Sequence, residues 1–303
     1  MQDIGLQFVR RTSQFIERKR TFTQPQVAIH FSTKGADAVY PNEIFLGMTL
    51  YDIFLLVGVL AAFVLGDRLG IRRGFSVALQ KTVVVGAFCA VTVGYGFAVL
   101  FQAFYNFMDG GAFEITQGTG ATFFGGLLGG AGVFLLIWFV FAPKFCKDKE
   151  EPKKRFSDIL DIAAVCVPIA HAFGRIGCFF AGCCHGAETD GWWGVAMNGG
   201  RYVPVQLYES TFLFALGGAL LWLFFKGTDD RRIPLMPLYA LTYGVWRFFI
   251  EYARADERGA TVVSFLSPSQ LVAVLLVIFG AVYFVLFYRA RKIKMQEKKE
   301  WKE

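Results

Sequence analysis

Charged side chains are scarce in this sequence of 303 residues. Asp, Glu, Lys and Arg make up 18% of it, whereas hydrophobic residues make up 55%. A soluble domain carries about 25% charged residues. A soluble fold would have to bury all of this apolar material in one core, with too little polar surface left to cover it. The scarcity of charge therefore argues against a soluble protein.

Other absences exclude further classes. The first 25 residues contain no apolar segment of the signal-peptide type, so we expect the first hydrophobic span to act as an uncleaved anchor. Three of the six cysteines lie within apolar runs, which argues against a dense disulfide framework. The net charge of +7 does not indicate nucleic acid as a partner, because the basic residues lie between apolar runs, where membrane proteins concentrate them.

Long apolar segments are abundant, and many of the 34 phenylalanines lie in them. A helix needs roughly 20 apolar residues to cross a bilayer. The sequence predicts an all-α, polytopic membrane protein with about seven transmembrane helices around a central polar cavity. The predicted spans are 44–65, 82–104, 121–141, 159–180, 205–225, 235–250 and 271–288. A basic leader, 1–43, precedes the seven-helix transmembrane domain, 44–288, and a basic cytoplasmic tail, 289–303, follows it.

The distribution of Lys and Arg predicts the orientation in the membrane. Most of them lie in segments that share one side if the N-terminus is outside, namely 66–81, 142–158, 226–234 and 289–303. Cytoplasmic loops carry the excess of Lys and Arg. We therefore expect the N-terminus outside and the C-terminus in the cytoplasm. The basic leader points the other way, and one miscounted span would reverse the N-terminal assignment.

Two arginines lie inside predicted spans, Arg175 in the fourth and Arg247 in the sixth. A charged side chain at the centre of a membrane helix costs at least about 2.5–3.5 kcal/mol. One interpretation is structural: each arginine reaches an interface or pairs with a carboxylate. The candidate carboxylates lie in or near spans and are Asp52, Asp161, Glu209 and Glu251.

The other interpretation of the two arginines is an anion site. Two guanidinium groups in a low-dielectric cavity suit a phosphate, because they bind its oxygens bidentately. In a membrane the commonest phosphate is that of a lipid headgroup. Tyr239, Tyr243, Arg247 and Glu251 are spaced four apart and share one face of a helix, which we expect to look into a polar cavity.

Three smaller features leave alternatives open. Two small-xxx-small pairs, Gly125/Gly129 and Gly126/Gly130, predict either close helix packing or room for a bulky ligand. His171 lies one turn before Arg175 and is either a structural residue or a base. The cysteines near position 180 suggest a metal site, a disulfide or small packing residues. Adjacent cysteines rarely chelate one zinc ion well, so no metal site is predicted; the group comprises Cys178, Cys183, Cys184 and His185.

Four motifs in the same order resemble those of the prolipoprotein diacylglyceryl transferase family, over about 44–288. The family signature G-R-x-G-x-F-x-x-G-x-x-x-G is matched by Gly174, Arg175, Gly177, Phe179, Gly182 and Gly186. The segment Pro204, Val205, Gln206, Leu207, Tyr208, Glu209 is similar to P-S-Q-L-Y-E. Tyr243, Gly244, Arg247 and Glu251 match Y-G-x-x-R-x-x-x-E, and Leu50, Tyr51, Asp52 resemble W-Y-G.

The sequence also departs from the family pattern. Phe124 stands where the family usually has a His before the paired glycines, and Cys178 where it has an Asn. Cys183 replaces an acidic residue, and Asp52 replaces a glycine. The resemblance therefore identifies a divergent member.

The resemblance implies a reaction and its partners. The domain 44–288 would transfer a diacylglyceryl group from phosphatidylglycerol to the lipobox Cys of prolipoprotein signal peptides, forming a thioether and releasing glycerol phosphate. This is the first step of lipoprotein maturation at the bacterial inner membrane. No cofactor or metal is implied. The alternatives are a related lipid-headgroup transferase with another acceptor, and a non-catalytic phospholipid transporter or binding protein.

The resemblance also implies residue roles. Arg175 and Arg247 would bind the phosphate, with Tyr51 and Tyr243 as further catalytic candidates that donate hydrogen bonds to the headgroup. His185 is a possible substitute base. The implied substrate-binding residues are Gly125, Gly126, Gly174, Gly177, Gly186, Gln206, Tyr208, Glu209 and Glu251.

Overall fold

The protein is described by a computed structural model, which covers residues 40–45, 47–108, 110–116, 119–227, 233–254 and 266–300. The long helices are α1 (Leu50–Arg72), α2 (Val77–Met108), α3 (Phe123–Leu136), α6 (Phe156–Phe180), α7 (Val205–Lys226), α8 (Leu235–Ile250) and α9 (Pro268–Glu300). A π-helical turn, Ile137–Phe141, continues α3 into the short helix α4 (Ala142–Phe145), and α5 (Glu151–Lys154) precedes α6. Two hairpins pair β1 (Glu43–Phe45) with β2 (Met48–Thr49) and β3 (Val195–Met197) with β4 (Gly200–Tyr202), both antiparallel.

Six of the described helices are long and apolar enough to cross a membrane, and this confirms the prediction of a polytopic helical membrane protein. They are Leu50–Arg72, Val77–Met108, Gly125–Phe145, Phe156–Phe180, Val205–Lys226 and Pro268–Ile293. The remaining predicted span, 235–250, the sixth in chain order, is also a helix, but α8 has 16 residues, with a 3-10 turn, Glu251–Ala253, after it. At 1.5 Å per residue α8 measures about 24 Å, less than the roughly 30 Å of the hydrocarbon core.

Several helix boundaries differ from the predicted spans. The first span was predicted as 44–65, whereas α1 covers Leu50–Arg72, because β1 and β2 precede it. Helix α2 begins at Val77, five residues before the predicted start, and α9 runs on to Glu300. Hydropathy marks only the apolar part of a helix, whereas Lys, Glu, Gln and Arg continue a helix readily outside it. The predicted tail, 289–303, therefore begins within α9. Almost all of the predicted leader, 1–43, lies outside the described residues.

Local sequence sets the start of α1. Thr49 and Asp52 form a capping box, in which the Thr49 backbone N–H donates to Asp52 Oδ2 at 2.9 Å. The Asp52 backbone N–H donates in return to Thr49 Oγ1 at 3.4 Å. These bonds satisfy donors at the helix N-terminus that have no partner within the helix. Asp52, one candidate partner for the buried arginines, therefore serves its own helix instead.

Glycines bring neighbouring helices into close contact. A Cβ at Gly125 would lie 2.6 Å from the Phe97 carbonyl oxygen on α2, and one at Gly129 would lie 2.5 Å from Phe97 Cβ. A Cβ at Gly126 would meet α2 at van der Waals distance, 3.5 Å from Ala98 Cβ. Small residues let membrane helices approach in this way. The contacts favour the packing interpretation for Gly125 and Gly126 over a role in ligand binding.

A charged network joins four helices at the N-terminal end of α6. Arg73 reaches Asp158 at 3.9 Å and Asp161 at 4.0 Å, and its guanidinium lies 4.1 Å above the Phe224 ring. Asp161 Oδ1 also accepts a hydrogen bond of 2.8 Å from the Leu235 backbone N–H, at the start of α8. Asp161 therefore contacts both the end of α1, through Arg73, and the start of α8.

A cavity of about 1130 Å³ opens between α2 and the α3–α4 region. Its lining is mostly apolar, with Lys81, Lys147 and Glu151 among the polar side chains. None of the residues predicted for the functional site lines it. The central polar cavity expected from the sequence stays a prediction.

Candidate functional site

Arg175 on α6 pairs with Glu209 on α7. Arg175 Nη2 donates a hydrogen bond of 3.2 Å to Glu209 Oε1, and Arg175 Nε lies 3.0 Å from Oε2, in an ion pair that is not aligned as a hydrogen bond. The Glu209 side chain is 0% exposed. Among the four candidate carboxylates, Glu209 is thus the partner of Arg175. The pair neutralises both charges and fixes the guanidinium orientation.

Two aromatic residues complete the surroundings of Glu209. The Tyr243 hydroxyl donates to Glu209 Oε1 at 3.0 Å, and His171 Nε2 lies 3.9 Å from the same oxygen. The rings of His171 and Tyr243 meet edge to face, and Tyr239 stacks in parallel on Tyr243 with centroids 5.7 Å apart. The structure therefore brings together residues of α6, α7 and α8. His171 was not assigned to the site from sequence, although its position one turn before Arg175 was the available signal.

Arg247 on α8 is held by its own helix and by the start of α9. Its Nη2 lies 2.8 Å from Glu251 Oε2 and donates to Ser269 Oγ at 2.8 Å. The Ser267 hydroxyl donates to Glu251 Oε1 at 2.7 Å. Arg247 Nη1 is buried without a hydrogen-bond partner among the described residues. The predicted Arg247–Glu251 pair is present, whereas Ser267 and Ser269 were not predicted.

The two arginines act on one buried carboxylate. Arg175, His171 and Arg247 all interact electrostatically with Glu209, and both arginines interact with His171. In a low-dielectric interior such interactions are much stronger than in water. Arg175, His171, Glu209, Tyr243 and Arg247, here called the arginine cluster, therefore form one electrostatic unit.

Tyr51 and the glycines of the G-R-x-G motif lie where α1 crosses α6. A Cβ at Gly177 would be 3.1 Å from both Cδ2 and the carbonyl oxygen of Tyr51, so glycine permits this crossing. A Cβ at Gly174 would have no atom within 4 Å among its described surroundings, which leaves open space next to Arg175. No described hydrogen bond joins Tyr51 to either arginine.

Gln206 and Gly186 shape the segment that follows α6. Gln206 is fully buried, and its Nε2 donates to the Cys183 carbonyl oxygen at 2.6 Å. The Gly186 backbone N–H donates to Val203 O at 2.8 Å, and a Cβ there would lie 2.5 Å from Ala253 O. Both residues act on the backbone of this segment. Tyr208 is 39% exposed on α7, and no described hydrogen bond joins it to an arginine.

His185 also lies in the segment after α6. Its Nδ1 is 3.0 Å from the Gly186 carbonyl oxygen, which can only accept, so Nδ1 carries the proton in this contact and Nε2 is left as the acceptor. The imidazole lies against the Tyr202 ring, with centroids 4.1 Å apart. No described contact joins His185 to the arginine cluster. At Phe124, the structure describes the backbone in α3 but not the side chain.

The three cysteines after Arg175 lie together. The sulfur atoms of Cys178, Cys183 and Cys184 are all within 4.8 Å of one another, and no disulfide links them. Hydrogen bonds with Cys178 and Cys183 lower the pKa of the Cys184 thiol, with Arg254 adding to the effect. The same kind of hydrogen bond raises the pKa of Cys183. The sequence analysis named these residues but did not predict that their sulfur atoms lie close together.

These features define a multi-pass helical membrane protein with a buried cluster of arginine, carboxylate and tyrosine side chains between its helices. The sequence model of the prolipoprotein diacylglyceryl transferase family matches residues 42–286. The chain belongs to this family.

Curated relatives carry the same family name. The phosphatidylglycerol–prolipoprotein diacylglyceryl transferase of Clostridium tetani is 31% identical over 242 residues, covering 77% of this chain and 91% of the relative. A second enzyme of that name, from Clostridium perfringens, is 30% identical over 267 residues, covering 84% and 95%. The Stenotrophomonas maltophilia enzyme is 29% identical and covers 81% and 90%. Similarity thus extends over nearly all of the membrane domain.

Proposed function

We propose that this protein transfers the diacylglyceryl group of phosphatidylglycerol to the thiol of a lipobox Cys in prolipoprotein signal peptides. The observation that carries the proposal is the partly buried Arg175, paired with Glu209, together with the buried Arg247, whose Nη1 has no hydrogen-bond partner among the described residues. Family membership and the names of the relatives support this substrate pair. The proposal covers 44–288 as the catalytic domain, in a bacterial inner membrane, with the N-terminus outside and the C-terminus cytoplasmic.

The first step is binding of the lipid phosphate. Arg247 Nη1 is the available donor, while Nη2 is held by Glu251 and Ser269. Arg175 is fixed on one side by Glu209 and has an open space beside Gly174. A guanidinium with part of its donors fixed loses little entropy when the rest bind an anion. The carboxylates therefore position the arginines for the phosphate.

The second step is displacement at carbon. The thiolate sulfur attacks the sp3 carbon that carries the phosphate ester, a C–S bond forms, and the C–O bond breaks with its electron pair on the departing glycerol phosphate. The phosphodiester carries one negative charge, and the leaving monoester approaches two. The attraction of both arginines grows along this path, so they stabilise the transition state more than the bound lipid.

The third requirement is a thiolate. A free thiol with a pKa of about 8.5 is already a few per cent ionised near neutral pH. A general base therefore has to raise the fraction of thiolate by only one or two powers of ten. Two histidines can accept the proton: His171 within the arginine cluster, and His185 through Nε2. The proposed reaction therefore does not require the family histidine that Phe124 replaces.

The test is transfer in vitro by the purified chain. Phosphatidylglycerol vesicles and a lipobox peptide serve as substrates, and glycerol phosphate release and peptide mass are followed. Arg247→Ala and Arg247→Lys should lower the rate by about 100- to 1,000-fold, because lysine lacks the forked donors. Arg289→Ala, an exposed arginine of α9, is the matched control and should leave the rate unchanged.

The outcomes separate the alternatives. Thermal unfolding in detergent establishes that each variant is folded. A folded wild-type chain that releases no glycerol phosphate contradicts transfer and leaves a lipid-binding protein. Release that does not require the peptide thiol, tested with a Cys→Ser peptide, indicates a transferase with another acceptor. The departures at Cys178 and Cys183 motivate that second candidate.

A further inference from the structure

The chain turns back on itself directly after α6 and gathers three thiols. Cys178 lies in the last turn of α6, while Cys183 and Cys184 follow its end. Gly182 and Cys184 both have positive φ, 65° and 63°, and Cys184 is one of only two described non-glycine residues that do. A left-handed cysteine is energetically unfavourable and requires support from its surroundings. These turns bring the three Sγ atoms within 4.8 Å of one another.

The surrounding contacts hold this arrangement. The Cys183 backbone N–H donates to the Cys178 carbonyl oxygen at 3.1 Å, and Gln206 Nε2 donates to Cys183 O at 2.6 Å. Asn198 Nδ2 donates to Gly182 O at 2.8 Å. The backbone on both sides of the thiols is thus fixed by a fully buried glutamine and by the β3–β4 hairpin. The position of the three thiols is therefore set by this backbone and not by flexible side chains alone.

The sulfur spacing fits one metal ion. Three thiolates at about 2.3 Å from a Zn²⁺ ion lie about 4 Å from one another. The three sulfur atoms already lie within 4.8 Å of one another, so side-chain shifts of less than about 1 Å bring them to this spacing. Sulfur ligands select thiophilic ions with a filled d shell over Mg²⁺ or Ca²⁺. Three protein ligands also leave the fourth tetrahedral position of zinc open.

The access from solvent also suits a bound cation site. Cys183 is exposed, which gives an ion a path from solvent. The thiols of Cys178 and Cys184 interact electrostatically with Arg175 and Tyr51. The cluster therefore lies beside the arginine cluster but uses different residues.

We propose that Cys178, Cys183 and Cys184 bind a single thiophilic cation, Zn²⁺, through three sulfur ligands. The binding does not depend on the transferase reaction. Each thiol loses its proton to solvent as the ion binds, and no electron transfer is involved. The sequence interpretation rejected a metal here because adjacent cysteines chelate one zinc poorly. The left-handed backbone at Cys184 removes that objection by turning the two side chains toward a common point.

The experiment uses Co²⁺ as a spectroscopic probe for this site. The full chain is purified in detergent, reduced with a phosphine, stripped with a chelator and titrated with Co²⁺. We expect one equivalent to produce sulfur-to-cobalt charge-transfer bands and the intense visible bands of near-tetrahedral coordination. Zn²⁺ should abolish both, and elemental analysis should then give one zinc per chain.

Single variants assign the ligands. Cys178→Ser, Cys183→Ser and Cys184→Ser should each weaken Co²⁺ binding by at least about 100-fold, since even indirect partners of a ligand are worth 10- to 100-fold. Cys89→Ser, on α2 and outside the group, is the matched control and should bind as the wild type does. Thermal unfolding of each apo variant checks the fold.

Several results overturn the proposal. One is a wild-type chain whose three thiols all react with maleimide but which shows no cobalt–sulfur bands. Another is bands that persist when all three cysteines are replaced. A third is an intramolecular disulfide within the group, seen by mass after purification without reductant, together with no cobalt bands after its reduction.

Discussion

At the scale of single residues, Glu209 is the most constrained group of the candidate site. It is fully buried, pairs with Arg175, accepts from Tyr243 and lies 3.9 Å from His171. Removing one member of a buried ion pair leaves the other charge uncompensated, at a cost of about 3–5 kcal/mol. We therefore expect Glu209 to contribute to stability and, under the proposed function, to activity.

The substitution Glu209→Gln tests this role. Glutamine keeps the shape and can still accept from Tyr243, but Arg175 loses its counter-charge. We expect a clear fall in the thermal unfolding temperature in detergent and loss of glycerol phosphate release. Glu188→Gln, in an exposed position of the segment after α6, is the matched control and should change neither. An unfolding temperature equal to that of the wild type would show that Glu209 does not balance Arg175.

The sequence located the arginines but not all of their partners. Glu251 could be predicted for Arg247 because residues four apart meet on one helix face. The partner of Arg175 could not, since Asp161 lies in the same span as Arg175, while Asp52 and Glu209 lie in two other spans. Choosing among them requires the relative positions of three helices, which one sequence does not encode in any local pattern.

At the scale of helices, glycine contacts determine which faces meet. In α3, a Cβ at Gly129 would lie 2.5 Å from Phe97 Cβ, whereas one at Gly132 would have no described atom within 4 Å. The two glycines are three positions apart, yet only one is needed for packing. The sequence predicted a close-packing motif but could not exclude a ligand, because either use requires the same small residues.

Alanine substitutions at these two glycines should have opposite effects. Gly132→Ala should raise stability slightly, because alanine is favoured over glycine in helices by up to about 1 kcal/mol. Gly129→Ala should lower it by about 1–3 kcal/mol, because the new methyl group overlaps Phe97 and forces α2 and α3 apart. Thermal unfolding of both variants in the same detergent makes the comparison. Equal shifts would show that α2 and α3 do not meet at Gly129.

At the scale of the whole molecule, hydropathy located the seven long helices among the described residues but not all of their lengths. The bounds of α8 match the predicted span, 235–250, whereas the π-helical turn Ile137–Phe141 had no signal in the apolar pattern. Such a turn depends on how neighbouring helices pack, and a hydropathy profile averages over that information. Orientation remains a prediction from the distribution of Lys and Arg.

Single-cysteine labelling tests the orientation. In a chain whose six native cysteines are replaced by serine, one variant carries Trp192→Cys, at a position that is 88% exposed between α6 and β3. A second carries Lys149→Cys, in the exposed loop before α5. A membrane-impermeant maleimide added to intact spheroplasts should label position 192, and position 149 only after permeabilisation. The reverse pattern would place the N-terminus of α1 in the cytoplasm.

The position of Arg247 along α8 has a consequence for lipid access. Arg247 lies in the last turn of α8, and only the short 3-10 turn Glu251–Ala253 follows it before the end of this helical segment. Arginines near the ends of membrane helices reach the level of the lipid headgroups. In the proposed reaction, a phospholipid would therefore bring its phosphate to Arg247 without moving that charge into the hydrocarbon. The placement of Arg247 at a helix end would thus lower the barrier for lipid entry on that side of the molecule.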